Sequence, residues 1–232
     1  MKKLIVIGIG GHFNSCAEVI ENQKKFKIVG CVLPNYRNKN VKKQKYNYLG
    51  SDRDLKELSK KFRYAFIAIG QIKNFKKRLQ LYNKLKKLNF TLPVIISPNS
   101  IISKKSKFGE GTIVMSGVII NRNVNIGKNS ILNTNVLIEH DTLIGDNTHV
   151  STSAVVNGNV KIGNNCFIGS KVIIHNNIKI GDNCTIGAGT IVDQNIPSNY
   201  SVYPYFKKKM FIKKNILTKF ERFKNENTKN LK

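Results

Sequence analysis

Three ionisable side chains stand in a row at Glu139, His140 and Asp141, inside the segment IEHDTLIGDN (138–147). Comparable neighbouring segments read IGKN, IGNN or IGDN, so the acidic-basic-acidic triplet departs from its surroundings. A histidine exchanges a proton near neutral pH, and an adjacent carboxylate can hold its tautomer and support the imidazolium. A second candidate is Gly8-Ile9-Gly10-Gly11-His12, a glycine-rich loop that closes an apolar run and brings a histidine to a strand's end. Gly8-x-Gly10 lacks the third glycine of a dinucleotide fingerprint, because Phe13 occupies that position, and no NAD site is read there. Two further histidines are His149 and His175. A histidine metal centre needs three such ligands to converge, and His140, His149 and His175 fall in three different slots of the repeat described below, so no metal is predicted.

The glycine loop belongs to a segment that alternates strand and helix patterns. KLIVIGIG (3–10), FKIVGCVL (26–33), YAFIAIG (64–70) and LPVIIS (92–97) read as four strands. FNSCAEVIENQKK (13–25), SDRDLKELSKKF (51–62) and NFKKRLQLYNKLKKL (74–88) read as helices, the second with Ser51 as N-cap and Asp54 three residues on. Continuous apolar strands suit a parallel sheet covered on both faces. The order predicts a small Rossmann-like domain over 1–92, with the glycine loop at the strands' carboxyl ends, where ligands bind.

The triplet belongs to something else. From Ile96 to Val192 an apolar residue recurs every sixth position, seventeen times in succession. Four places after each lies a small or β-branched residue, as at Ser106, Thr112, Val118, Ser130, Val136, Thr142 and Ala154. A period of six matches neither helix nor plain alternation and is the signature of a parallel β-helix over 93–196. Gly109, Gly127, Gly145, Gly163 and Gly181 are 18 apart, as are Asn129, Asn147, Asn165 and Asn183. Three hexapeptides therefore make one coil, stacked about 4.8 Å from the next. Both residue types suit corners that need left-handed backbone. The first and fifth slots face inward, so His140, in the third, projects outward without disturbing Ile138 or Thr142. Cys166 and Cys184 are fifth-slot residues and should act as small core hydrophobes rather than as nucleophiles or a disulfide.

The chain carries 40 Lys+Arg against 13 Asp+Glu, a net charge of +27. Such a balance invites anionic partners, but no clustered base-reading residues or aromatic platform accompany it, so nucleic acid is not expected. The lysine-leading start reads as a strand rather than a secretory leader, and four cysteines without a C-x-x-C pair fit the reducing cytoplasm. The basic stretch 197–232 places Ile212, Ile216, Phe220 and Phe223 on one potential helical face. Capping the last coil or packing on a neighbouring subunit is preferred for it over lying on a membrane surface.

With GIGGH, LNTNVLIEHDTLIGDNTHVS and NGNVKIGNNCFIG in hand, residues 1–205 resemble a family of sugar acetyltransferases. These join a βαβ nucleotide-sugar domain to a left-handed hexapeptide β-helix and include nucleotide-aminosugar N-acetyltransferases and sialic acid O-acetyltransferases. The resemblance implies a homotrimer with acetyl-CoA lying between subunits. It implies His140 as general base, Asp141 as its orienting carboxylate with Glu139 as the alternative, and the Gly158 N–H as oxyanion donor. It places His149 and Asn133 in the site lining, His149 toward the acetyl donor, and His12 with Gly8, Gly10 and Gly11 against the sugar substrate. Direct transfer to an aminosugar on a nucleotide, for bacterial surface glycan synthesis, is the preferred expectation. O-acetylation of a sialic-acid-like sugar is the runner-up, and a non-catalytic β-helical scaffold is the alternative of another class. Two departures stand out. GCVLPNYRN puts Pro34 and Asn35 where uridine-binding members carry acidic residues, and SVYPYFKKK keeps Pro204 but not the glycine of the usual Gly-x-Pro-Ala.

Overall fold

The computed structural model describes residues 1–33, 45–72 and 74–204. Pro34, Asn35 and the helix expected within 205–232 lie outside the described residues. The N-terminal part runs β1 (Lys2–Ile7), α1 (Gly11–Asn22), β2 (Phe26–Val32), β3 (Tyr48–Gly50), α2 (Leu55–Lys61), β4 (Tyr64–Ile67) and α3 (Lys76–Lys87). Its four strands pair in parallel in the order β3-β2-β1-β4. From Leu4 to Ile7 β1 is apolar without interruption, because both its faces are covered there. Leu4 and Val6 pack with Phe13, Cys16 and Ile20 of α1, while Ile5 and Ile7 pack with Leu55, Leu58, Leu81 and Leu85 of α2 and α3.

Two expectations for this sheet need correction. The fourth strand is Tyr48–Gly50, not 92–97. Thr91 makes a single parallel bridge to Tyr64, and Ile95–Ile96 is instead the first strand of the coil. The six-residue register that begins at Ile96 outweighs the apolar run around it. Ser51 is also not the cap of α2, which begins at Leu55 behind Asp54. The Asp54 carboxylate reaches back to accept from the Ser51 N–H (2.7 Å) and hydroxyl (2.9 Å), closing the turn that precedes the helix.

From Ile95 to Val192 two-residue strands recur every six residues and stack in three parallel sheets, the faces of a left-handed triangular coil. Partners lie 18 residues apart, as in Ile131↔His149, Ile138↔Val156 and Ile144↔Ile162. The stack runs one strand past Pro197: Ser201–Val202 pairs with Thr185–Ile186 at an offset of 16, so the final coil is two residues short. The second residue of each pair faces inward and, with the residues four places on, forms one continuous core from Val114 to Ile196.

The corners explain the remaining periodicity. One residue in every six, from Gly111 through Asn123, Asn129, Asp141 and Asn165 to Gly189, has positive φ. Asparagine tolerates this conformation and also bonds along the stack: Asn129 to Asn147 (2.8 Å), on to Asn165 (3.0 Å) and Asn183 (3.1 Å). The glycine ladder has another cause than the one expected. Gly127, Gly145 and Gly163 do not have positive φ. A methyl carbon on Gly127 would lie 2.5 Å from the Asp146 nitrogen, and one on Gly145 2.6 Å from the Gly163 carbonyl carbon. Backbone of successive coils approaches too closely there for any side chain. Beside it runs an inward ladder in which Thr112, Ser130 and Thr148 donate to the Gly127, Gly145 and Gly163 carbonyls at 2.7, 3.1 and 2.9 Å. Cys166 (to Gly181, 3.1 Å) and Cys184 (to Pro197, 3.0 Å) continue it with thiols. Both are buried and free, so they are core residues, though with a weak donor role that hydrophobicity alone did not suggest.

Candidate active site

The triplet occupies the corner between Leu137–Ile138 on the six-stranded face and Leu143–Ile144 on the five-stranded face. Ile138 and Thr142 turn inward and are fully buried, while His140 and Asp141 stay outside, their side chains 59% and 51% exposed. Asp141 holds the corner's left-handed residue, φ 60°. Its carboxylate accepts from Asn123 Nδ2 at 2.9 Å through Oδ1 and meets His140 Nδ1 at 2.9 Å through Oδ2. The amide of Asn123 and the imidazole of His140 hold its pKa below the ordinary carboxylate value. An ionised carboxylate only accepts, so Nδ1 carries the hydrogen and, in the neutral imidazole, Nε2 is bare. Glu139 does not touch the imidazole; it accepts from Asn121 Nδ2 at 2.7 Å one coil back. Of the two carboxylates beside His140, Asp141 is therefore the one that meets it.

Gly158 stands one coil on from His140, 18 residues later. A methyl carbon placed on it would lie 2.8 Å from both Cε1 and Nε2 of His140, so the bare edge of the imidazole lies directly over the glycine. Among the described residues the Gly158 N–H donates to no protein group. Asn121, Asn123 and Gly158 were all accessible from sequence, because each is 18 residues from a member of the triplet. The period names the neighbours even where the residue types do not. His175 lies on the same edge, exposed, two coils on from the slot of Glu139.

The glycine loop sits elsewhere. Gly8, Gly10, Gly11 and His12 line a cavity of about 620 Å³ with Ala68, Gly70 and Lys77. Gly8 has φ 103°, and a methyl carbon there would lie 2.7 Å from Ile69 Cγ1. His149 does not line this cavity; it lies on the seven-stranded face, 4% exposed. Its Nδ1 donates to the Gln71 carbonyl at 2.7 Å, its ring meets Phe167 edge-on at 5.3 Å, and its Nε2 is buried without a partner. Burial first, and then the Arg78 charge, push the pKa of His149 down to about 4; the same causes do so for His12, with a smaller effect of His149. Asn133 lies at a third place, the corner after Ile131–Leu132, where its Oδ1 accepts from the Thr134 N–H at 2.9 Å. One chain therefore gathers the triplet with Gly158, and His12 with His149, but does not bring these groups together. Among the described residues no group of three or more His, Cys, Asp or Glu is arranged to hold a metal ion.

Two residues of this region went unnoticed in sequence. Arg78 and Gln71 are buried between the glycine-loop domain and the coil, 1% and 3% exposed. Neither belongs to a motif, and a lysine- and arginine-rich helix hides which of its cations faces inward.

Residues 3–85 match the family model of the PglD N-terminal domain, and residues 159–194 match that of the bacterial transferase hexapeptide (six repeats). No curated protein matches the chain. Among solved structures, a His-to-Asn variant of perosamine N-acetyltransferase from Caulobacter crescentus, in complex with CoA and GDP-perosamine, is 26% identical with a TM-score of 0.80. The match covers 88% of this chain and 94% of that one. The acetyltransferase domain of PglB from Neisseria gonorrhoeae, in complex with acetyl coenzyme A, is 28% identical with a TM-score of 0.79, covering 88% and 96%. WeeI from Acinetobacter baumannii, at 22% identity, TM-score 0.75 and coverage of 88% and 97%, shares the fold. The resemblance read from the glycine loop and the triplet is thereby borne out: this chain joins a PglD-type N-terminal domain to a hexapeptide transferase coil, the two-part architecture of the sugar acetyltransferases.

Proposed function

We propose that the protein transfers an acetyl group from acetyl-CoA directly to the amine of a nucleotide-linked aminosugar. The single observation that carries this is the His140 imidazole, bonded through Nδ1 to Asp141 and presenting a bare Nε2 above Gly158. The substrate amine attacks the thioester carbonyl while Nε2 takes its proton. Asp141 stabilises the imidazolium that forms, and the Gly158 N–H donates to the developing oxyanion. Collapse expels the CoA thiolate, to which His140 returns the proton. No enzyme thiol is needed, and buried Cys166, its pKa pushed up to about 12 by desolvation, is poorly suited to be one. Solved relatives holding acetyl-CoA, or CoA with a GDP-linked aminosugar, support the donor and the acceptor class.

The working unit is a cytoplasmic homotrimer. The glycine-loop domain covers the seven-stranded face of its coil, whereas His140 sits on the opposite corner, which supports an arrangement in which a second chain brings a sugar pocket to each His140. The six-stranded face offers a contact surface: Ile101, Ile119, Leu137, Val155, Ile173 and Ile191 form an outward apolar row, with Ile101 and Ile191 at 68% and 60% exposure. Four free cysteines fit a reducing compartment, and no described helix is long and apolar enough to cross a membrane. The test is thiol release from acetyl-CoA across a panel of nucleotide aminosugars, with light scattering for the assembly. Turnover abolished by His140→Ala in an intact trimer is expected; no release with any acceptor at saturating acetyl-CoA sinks the proposal.

A further inference from the structure

Arg78 is fully buried, yet among the described residues no carboxylate pairs with it. Burying a guanidinium without a counter-ion is costly unless its hydrogen bonds are satisfied. Its partners are four main-chain carbonyls. Nη1 donates to Ile67 (2.6 Å) and Ile69 (2.9 Å), Nε to Asn129 (3.2 Å) and Nη2 to Gly111 (3.5 Å). The first two carbonyls lie at the end of β4, where Ala68, Ile69 and Gly70 wall the glycine-loop cavity. The other two belong to left-handed residues of one coil corner on successive coils. Gln71 continues the same line. Its side-chain amide donates to Asn147 O (2.8 Å), the next left-handed residue of that corner, and to Cys166 O (3.3 Å). Its own carbonyl receives the His149 Nδ1 hydrogen.

We propose that Arg78 and Gln71 are positioning residues for the transferase reaction: they bolt the wall of the sugar-nucleotide pocket to a ladder of coil carbonyls, and thereby set both where the acceptor is presented and which His149 nitrogen is bare. This rests on the reading of the chain as a nucleotide-sugar acetyltransferase. A planar fork spreads five donors over three nitrogens and so reaches both elements, whereas a lysine's three donors radiate from one nitrogen. The side chains touch neither substrate; they act through the backbone that lines the pocket.

The test compares Gln71→Leu, Arg78→Met and Arg78→Lys in the full-length enzyme. Expected is a loss in kcat/KM for the nucleotide aminosugar of roughly ten- to a hundredfold, with KM for acetyl-CoA changed by less than about twofold. Arg78→Lys should not rescue. In Gln71→Leu, ring ¹⁵N shifts of His149 should show the single Nδ1–H tautomer replaced by a mixture. Gln71→Leu carries the test if the Arg78 variants fail to fold. Wild-type kcat/KM for the sugar, or a loss accompanied by a shift in KM for acetyl-CoA beyond about twofold, overturns the proposal. If the wild-type protein acetylates no sugar, it is the functional reading that fails. The bolt is then judged by hydrogen exchange, where Gln71→Leu must lower protection at 67–71 and leave the coil unchanged.

Discussion

Gly158→Ala is the sharpest perturbation of the corner proposed as catalytic. Gly158 does not have positive φ, so alanine suits its backbone. The added methyl would stand 2.8 Å from His140 Cε1 and Nε2 and 3.3 Å from Asn176 Nδ2. Carbon needs about 3.5 Å from such atoms, so the imidazole must retreat by ~0.7 Å or rotate. The coil backbone is pinned by hydrogen bonds on both sides of this corner, from Asn159 N to His140 O at 2.9 Å and from Asn177 N to Gly158 O at 3.0 Å. The exposed ring is the softer partner and moves first. Its retreat strains the Asp141 bond and takes Nε2 off the substrate proton. Displacement approaching 1 Å costs about a hundredfold in rate. The expected result is kcat down roughly 30- to 300-fold, with urea stability within ~1 kcal/mol of wild type and an unchanged oligomer. Measurement of thiol release under saturating substrates, beside urea unfolding, reads both quantities. Wild-type kcat in Gly158→Ala would show that the imidazole edge above Gly158 is not where the proton is taken.

Further outcomes follow from neighbouring geometry. Asp141→Asn retains a residue suited to φ 60° but supplies one acceptor where Asn123 and His140 require two. Its thermal stability should match wild type while kcat falls about 10²-fold or more, and a drop confined to KM would count against the orienting role. His12 and His149 are held neutral by burial, with pKa values lowered from 6.5 to about 4. The unfolded chain binds their protons first, so stability should fall as pH drops from about 6.5 to 4, by up to ~3 kcal/mol for each histidine. Urea unfolding of wild type and His149→Gln at pH 7 and 4.5 checks this; an equal loss in both removes His149 from the effect. Cys166→Ser keeps a donor for the Gly181 carbonyl, so it should retain fold and turnover, and intact-mass analysis of quenched wild-type enzyme should show no acetyl adduct.

Much of the coil was legible because its contacts are local in a periodic sense. Each residue meets those 18 before and after it, and a six-residue register states directly which side chains face in. The outward placement of His140, the buried Ile138 and Thr142, and the stacking of Gly158 all follow from counting. The glycine ladder shows the limit of such counting. Its recurrence at 109, 127 and 145 was plain, but left-handed backbone and close approach predict the same letters, and only the built coils show that the neighbouring backbone leaves no room for a methyl. The strand at 95–96 is a related case, since an apolar run serves a flat sheet or a coil equally well until its partners are known.

The amino-acid order alone determined the three-sided coil, its buried columns and the acid-base pair at one of its corners. Those depend on nearest neighbours at a fixed spacing, which a sequence displays. Tertiary structure alone decided how the glycine-loop domain is seated. The bonds that seat it join Arg78 to Asn129 and Gln71 to Cys166, across separations of 51 and 95 residues. They use main-chain carbonyls, which every residue possesses, so no letter in the sequence marks them. For the same reason the chain's cations look alike on paper, and only packing shows that one of them, Arg78, gives up solvent to hold two domains together.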